Sequence, residues 1–441
     1  MVALPDVELP SDAPVGQLSP QAWLSAPATQ AVIAALTADG QEIRFVGGCV
    51  RDSVLNRVVD DVDVATPDPP ETVIDLLERA GLKAIPTGLA HGTVTAMVDG
   101  RRFEITTLRR DVETDGRHAR VDFITDWEAD ARRRDFTVNA LYCRPDGSIF
   151  DPCNGLPDLA DGRIRFVGDA MRRIDEDVLR LLRFFRFYAH LGKPPIDVDA
   201  LSACRANGHR LATLSAERLR QELFKLLAAP EPASTLLLMQ GEKVLAHLLP
   251  EATDFGRLRV LAFLETRGLV RPHVGPDPLR RLAALLSGRD AEGPARRFKL
   301  SRRETTRLIA MASLDDAPSA AMAPSAMRRM LHRDGASLVR DRVLLAWAGV
   351  RAQGAATTAG DSRAWTELLD QADAWQPLVM PVAGADVRAA GIESGPEVGR
   401  ILAMVERLWQ DGDFRAGRQE LLAMLDAVVA ECCGREGNSN D

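Results

Sequence analysis

The sequence predicts an α+β protein in which a mixed sheet with flanking helices fills the first third and helices fill the rest. Three observations predict it. Up to about residue 150, short apolar runs and turn glycines alternate with a well-delimited helical segment. From about residue 170 onward, amphipathic stretches of 3.6-residue period follow one another, separated by Pro, Gly and Ser. The chain has 441 residues, well beyond a single usual core when about 150 residues per domain is the prior.

Element by element, Arg44-Phe45-Val46 reads as a strand running into a tight turn at Gly47-Gly48, with a helix starting near Val50-Arg51. Val62-Asp63-Val64-Ala65 reads as a second strand. Residues 70–80 form a helix, with Pro70 in the first turn and Gly81 just past the end. Residues 93–98 and 103–108 flank Asp99-Gly100, a dipeptide suited to the positive φ of a two-residue hairpin turn. Residues 111–130 hold alternating charges, Gly116 and few apolar side chains, and read as a mobile loop of the kind that often carries function. Residues 217–227 repeat an amphipathic helical pattern, and residues 315–325, rich in Ala, Pro and Ser, read as a linker or long turn.

Composition excludes several classes. Hydrophobic residues at 46% and charged residues at 27% match ordinary globular chains, not disordered or fibrous ones. The six cysteines are scattered without a C-x-x-C pair, which argues against a disulfide framework or structural zinc and suits a reducing cytoplasm. The amino terminus lacks a basic stretch and no apolar run is long enough to cross a bilayer, so neither export nor a membrane span is expected. Net charge is −8, but it is unevenly spread: −9 over residues 1–100, −1 over 101–200, +9 over 201–350 and −7 over 351–441. The positives of the basic stretch are nearly all Arg, whose forked guanidinium suits phosphate contacts. A solvated helical surface is the alternative.

The sharpest constellation is Gly47-Gly48-Cys49-Val50-Arg51-Asp52 followed by Asp60-Asp61-Val62-Asp63. Side chains alternate along a strand, so Asp61 and Asp63 share a face while Val62 turns to the core. Two carboxylates at one sheet edge can hold a divalent metal, and hard oxygen ligands favour Mg²⁺. Upstream, glycines let backbone N–H groups approach a phosphate, and Arg51 adds a full charge. This is a pattern for nucleotidyl transfer; the plainer reading is a tight turn whose aspartates are caps and surface charges. Glu104, between Phe103 and Ile105, is a candidate third carboxylate, or else an exposed glutamate paired with Arg101 or Arg102.

Arg132-Arg133-Arg134-Asp135-Phe136-Thr137-Val138-Asn139 couples a three-arginine cluster to a helix-like apolar run and suits a triphosphate or an RNA 3′ end. Asp177, Arg180, Arg183 and Arg186 recur at three-residue intervals and form one polar ridge on a helix whose other residues, Leu181, Leu182, Phe184, Phe185 and Phe187, hold it rigid. A salt-bridged surface helix is the alternative. The ridge suits base reading. The Asp177 carboxylate only accepts hydrogen bonds and the Arg180 guanidinium only donates. Cytosine and adenine each present an amino donor beside a ring-nitrogen acceptor, so this pair takes C and A and rejects U and G without a template.

With these residues in place, the sequence resembles the class II tRNA nucleotidyltransferases, or CCA-adding enzymes, relatives of bacterial poly(A) polymerases within the polymerase-β-like nucleotidyltransferase superfamily. The likeness is close over residues 44–190. It implies Asp61 and Asp63 as metal carboxylates holding Mg²⁺, Gly48 and Arg51 at the incoming triphosphate, and Arg134 as another nucleotide-binding position. Asp177, Arg180, Arg183 and Arg186 match the family's E-D-x-x-R-x-x-R-x-x-R element, whose Asp and first Arg form the base-reading pair. The implied architecture is a mixed-sheet nucleotidyltransferase head over residues 1–150 and an all-helical remainder: a neck over 151–230, a basic RNA-binding body over 231–350 and a tail over 351–441. The implied partners are tRNA, CTP and ATP. The loop from Asp111 to Asp130, including Gly116-Arg117-His118, resembles the family's flexible element that helps switch nucleotide choice.

Poly(A) addition, partial addition of the CCA end and a non-catalytic RNA-binding protein remain alternatives. The stretch Thr87-Gly88-Leu89-Ala90-His91-Gly92 and the acidic last ninety residues favour CCA addition over poly(A) synthesis. No His-Asp doublet occurs, so an appended phosphohydrolase domain is not supported.

Overall fold

The computed structural model describes residues 12–39, 42–115, 118–286, 288, 290–354, 359–393 and 395–436. The chain forms two compact units: Met1–Ala252 with Pro276–Pro278 and Arg296–Lys299, and Thr253–Gly275, Leu279–Ala295 and Leu300–Asp441.

The first unit is built on an eight-stranded mixed sheet. Its strands are β1 (Gly16–Gln17), β2 (Arg44–Val46), β3 (Val62–Thr66), β4 (Lys83–Gly88), β5 (Thr93–Val98), β6 (Arg101–Thr107), β9 (Tyr142–Cys143) and β10 (Ser148–Phe150), in the order β1-β10-β9-β2-β3-β6-β5-β4. All neighbours are antiparallel except β3 and β6. A parallel pair needs a long crossover. Here it contains the helix Pro70–Arg79, which buries Val73, Leu76 and Leu77, followed by β4 and β5. The β5–β6 hairpin closes through Asp99 (φ 50°) and Gly100 (φ 76°), the two positive φ values that its twist requires. In the parallel pair Val64 lies opposite Ile105, both fully buried, and Asp63 lies opposite Glu104.

Among the described residues, positions 111–130 are not a loop. Strands β7 (Arg109–Asp115) and β8 (His118–Phe123) pair as an antiparallel ribbon, and the helix Trp127–Arg132 follows, its first amides capped by Asp126. The ribbon is a sheet of its own, and charged residues suit an edge-to-edge pair of strands as well as they suit a loop. Gly116 and Arg117 of the nucleotide-switch motif lie outside the described residues. The apolar run after Arg134 also differs from the expected helix: it is one 3₁₀ turn, Thr137–Asn139, leading into β9.

After the sheet come the helices Ala170–Glu176, Leu179–Leu191 and Ala216–Leu227. Leu181, Leu182, Phe184, Phe185 and Phe187 are buried as expected. Phe187 packs edge-on against Phe136 at 5.3 Å and Phe184 stacks on Phe166 at 5.9 Å, which fixes this helix against the sheet unit.

The second unit contains the helices Phe255–Phe263, Arg302–Ala312 and Pro324–Ala352, the last interrupted at Gly335 (φ 78°, ψ 156°). A separate small core joins Val387, Ile401, Val405, Trp409, Leu421 and Leu425. Part of the positive charge counted over 201–350 is internal: Arg280 and Arg281 are buried on Glu265, and Arg280 also reaches Asp341 at 2.8 Å. Among the described residues, no helix is long and apolar enough to cross a membrane.

Candidate active site

Asp61 immediately precedes β3 and is exposed, Asp63 is half-buried within it, and Val62 between them is buried, so the two carboxylates flank a core residue as alternation requires. Parallel pairing adds Glu104 beside Asp63. Burial, then the charges of Glu104 and Asp61, push the Asp63 carboxyl up to about 6 against the opposing pull of Arg134 and Arg102. A divalent cation would relieve that repulsion, so the donor set fits one. The Glu104 carboxylate is engaged by Arg102, and among the described residues no three acidic, His or Cys side chains converge as one coordination set.

The glycine turn is geometrically demanding. Gly47 has φ 72°, its amide donates to the Leu141 carbonyl at 3.0 Å, and its carbonyl accepts the Arg51 amide at 3.0 Å. The helix Gly48–Val54 starts here, two residues earlier than the expected Val50. Buried Cys49 approaches the carbonyls of Val46 (3.4 Å) and Asp63 (3.7 Å), tying the helix to β3; burial pushes its thiol up to about 12, so it is inert. The Arg51 fork donates to both Asp52 oxygens at 3.0 and 2.8 Å and to Asn139 Oδ1 at 2.6 Å.

Arg134 is positioned by a residue that the sequence reading missed. Its Nη2 donates to Asp130 Oδ2 at 3.1 Å, its Nε to the Tyr142 hydroxyl at 3.1 Å, and that hydroxyl donates to Asp130 at 2.7 Å. Burial works against ionising Asp130, yet Arg134, Arg133 and the Tyr142 bond hold its carboxyl down at about 2. The Arg134 charge is in turn felt at Asp63.

The polar ridge requires a correction. Asp177 is not on the same helix as the arginines: it is extended (φ −155°, ψ 109°) in the break between Ala170–Glu176 and Leu179–Leu191. Its Oδ1 accepts the Leu179 amide at 3.1 Å and its Oδ2 accepts Arg218 Nη2 at 2.7 Å. Arg180 donates to Glu176, not Asp177, and to the Arg173 carbonyl at 3.0 Å. Arg183 grips Asp135 at 2.5–2.7 Å, and Asp135 also accepts Asn139 Nδ2 at 3.1 Å. A chain Arg51–Asn139–Asp135–Arg183 therefore links the glycine-turn helix to the Leu179–Leu191 helix. Arg186 lies 3.0 Å from Glu222, and burial lowers its basicity to about 10. Asp135, Asn139 and Glu176 stand inside the motifs and could have been found there by four-residue spacing. Arg218 and Glu222, on a distant helix, carry no such signal.

The sequence matches the family described as "Poly A polymerase head domain" over residues 43–165, and "Probable RNA and SrmB- binding site of polymerase A" over 195–255. It is 36% identical over 399 residues to the mitochondrial CCA tRNA nucleotidyltransferase 1 of Danio rerio, covering 87% of each chain. The chain belongs to the CCA-adding tRNA nucleotidyltransferase family. The CCA-adding enzyme of Leuconostoc mesenteroides is 39% identical over 231 residues, 52% of this chain and 56% of that one. The crystal structure of the Bacillus stearothermophilus CCA-adding enzyme in complex with CTP superposes with a TM-score of 0.75 at 29% identity, over 94% of this chain and 100% of that one. CCA-adding enzymes transfer nucleotides and use divalent metal ions.

Proposed function

We propose that this protein adds C and A nucleotides to the 3′ end of tRNA without a template, from CTP and ATP, releasing pyrophosphate. The observation that carries this reading is the carboxylate pair Asp61/Asp63 in one connected site with the Gly47–Gly48 turn, Arg134 and the arginines of the Leu179–Leu191 helix. The relatives named for CCA addition support it over nearly the whole chain, and the solved relative with CTP supports the nucleotide.

Asp61 and Asp63 would hold Mg²⁺. Bound there, the ion neutralises triphosphate charge and acidifies the attacking 3′-hydroxyl. Glu104 keeps the field at Asp63 negative, which favours a cation. Gly48 and Arg51 face the triphosphate, and Arg134, Arg183 and Arg186 supply further donors along it. Asp177 accepts the amino group of C or A and Arg180 donates to the ring nitrogen beside it, while Arg218 and Glu176 hold the two side chains in place. Uracil or guanine would leave these groups facing like partners, at about 1–3 kcal/mol each. The tRNA 3′-oxygen bonds to the α-phosphorus as pyrophosphate leaves, so no protein nucleophile is required.

The head, neck, body and tail divisions at residues 150, 230 and 350 belong to the same proposal. A reducing compartment suits the free thiols Cys49, Cys143, Cys153 and Cys204, and we place the protein in the cytoplasm, although the Danio rerio relative is named mitochondrial. The deciding experiment extends tRNA transcripts ending before each of the three terminal positions with CTP, ATP or both. Full CCA completion is expected. Long A tracts, or arrest after CC, would replace this reading with poly(A) or partial addition.

A further inference from the structure

In the second unit, the helices Phe255–Phe263, Arg302–Ala312 and Pro324–Ala352 enclose a cavity of about 490 Å³, a size typical of small-molecule sites. Arg257 lines it and is only 7% exposed. Its backbone amide is capped by Asp254 Oδ1 at 2.8 Å, and its Nε donates to the Leu345 carbonyl at 3.0 Å. Among the described residues, no acceptor meets Nη1 or Nη2. Gly349 lies against the stem, where an added Cβ would make ordinary contact with Nε at 3.7 Å. Arg342 also lines the cavity but is committed, through Nη1 to Asp334 at 2.9 Å and through Nη2 to the carbonyls of Asp315 and Asp316.

The guanidinium nitrogens Nη1 and Nη2 meet no protein acceptor among the described residues and open onto the pocket, and their fork matches a phosphate or a carboxylate. Burial lowers the basicity of Arg257, with only the Asp254 charge opposing, which agrees with an incomplete set of partners. Leu314, Pro318 and Val350 form an apolar wall of the pocket, beside Ser313 and the Asp254 side chain, with Gln353 at the rim. A nucleobase offers both a flat face for the apolar wall and hydrogen-bonding edges for the polar groups beside it.

We infer that this cavity binds one nucleotide unit, its phosphate on the Arg257 fork and its base against the Leu314–Pro318–Val350 wall. The choice of a nucleotide over other anions rests on the proposed action on nucleotides and RNA. The unit can come from a free mononucleotide or from an unstacked residue of bound RNA.

Leu314 is 62% exposed at the rim, so a Leu314→Cys variant of the full chain reports occupancy through its rate of alkylation, read by mass spectrometry of the peptide spanning that position. Either AMP at 1 mM or tRNA at saturation should slow alkylation by about tenfold or more. Protection by AMP identifies the free nucleotide as a source; protection by tRNA alone identifies RNA. Adding Arg257→Met should abolish protection. Val350→Glu, at a position 42% exposed, should abolish it too without emptying a buried site, which covers the case that Arg257→Met does not fold. The inference is overturned if neither AMP nor tRNA protects, if only laurate protects, or if protection survives both substitutions. CCA extension by the same Leu314→Cys protein is measured in parallel: lost extension with retained protection removes the catalytic reading and keeps this site, and the converse does the opposite.

Discussion

Replacing Asp130 by Asn should destabilise the sheet unit by about 3 kcal/mol at pH 7, although Asp130 stands away from the proposed metal pair. The carboxylate is 1% exposed and accepts from Arg133 Nε at 2.8 Å, Arg134 Nη2 at 3.1 Å, the Tyr142 hydroxyl at 2.7 Å and the Arg109 amide at 3.2 Å. A carboxyl that titrates near 3.9 in an unfolded chain and at about 2 in the folded one contributes about 2.6 kcal/mol at neutral pH. Removing one partner of a buried ion pair typically costs about 3–5 kcal/mol, and the amide's own N–H groups would face arginine donors. The two estimates bracket the expected value. The sign follows from the depressed pKa. The contribution is complete above the unfolded value near 3.9, and it is lost as pH falls through about 2. Urea unfolding of wild type and Asp130→Asn, followed from pH 7 to pH 2.5, should therefore show a gap that is full at neutrality, narrows below about pH 4 and falls to about a third of its neutral value at pH 2.5. A gap below about 0.5 kcal/mol at pH 7, or one that ignores pH, would refute the argument.

Asp61→Ala and Asp63→Ala should each lower CTP incorporation by about a thousandfold or more while tRNA retention on filters is unchanged; incorporation near the wild-type rate would remove the metal assignment. Because the Asp63 carboxyl sits at about 6 and must be ionised to hold a cation, kcat/KM should fall below that pH. Raising Mg²⁺ should move the inflection to lower pH, so pH–rate profiles at two Mg²⁺ concentrations that coincide would contradict it. Arg218→Ala frees Asp177 from its 2.7 Å partner and should relax discrimination against UTP by roughly 5–150-fold in competition assays, with CTP turnover changed less. Gly47→Ala forces a side chain onto φ 72° and should cost about 1–2 kcal/mol in thermal or urea unfolding, measured against Gly81→Ala as a strained position outside the site.

Legibility in the sequence followed the range of the interactions involved. Gly47-Gly48, Asp61-Val62-Asp63 and Asp99-Gly100 are local devices whose meaning rests on backbone conformation and alternation, and they lie where their spacing places them. The ribbon of β7 and β8 was hidden because most residues of β7 are charged and carry no strand pattern. Asp177 misled for a related reason: three-residue spacing continues through a helix break as readily as through a helix, and only the backbone distinguishes the two. The proximity of Glu104 to Asp63 depends on a parallel pairing between strands about forty positions apart, and the grip of Asp130 on Arg134 depends on Tyr142 arriving from β9. Neither is written in a local pattern.

Every arginine assigned here to the nucleotide already has an acidic companion: Arg51 with Asp52, Arg134 with Asp130, Arg180 with Glu176, Arg183 with Asp135 and Arg186 with Glu222. An incoming polyphosphate would then meet no bare electropositive well and would compete with these carboxylates for the same cations. On the proposed assignment, the companions that moderate capture would also reclaim their cations when pyrophosphate departs.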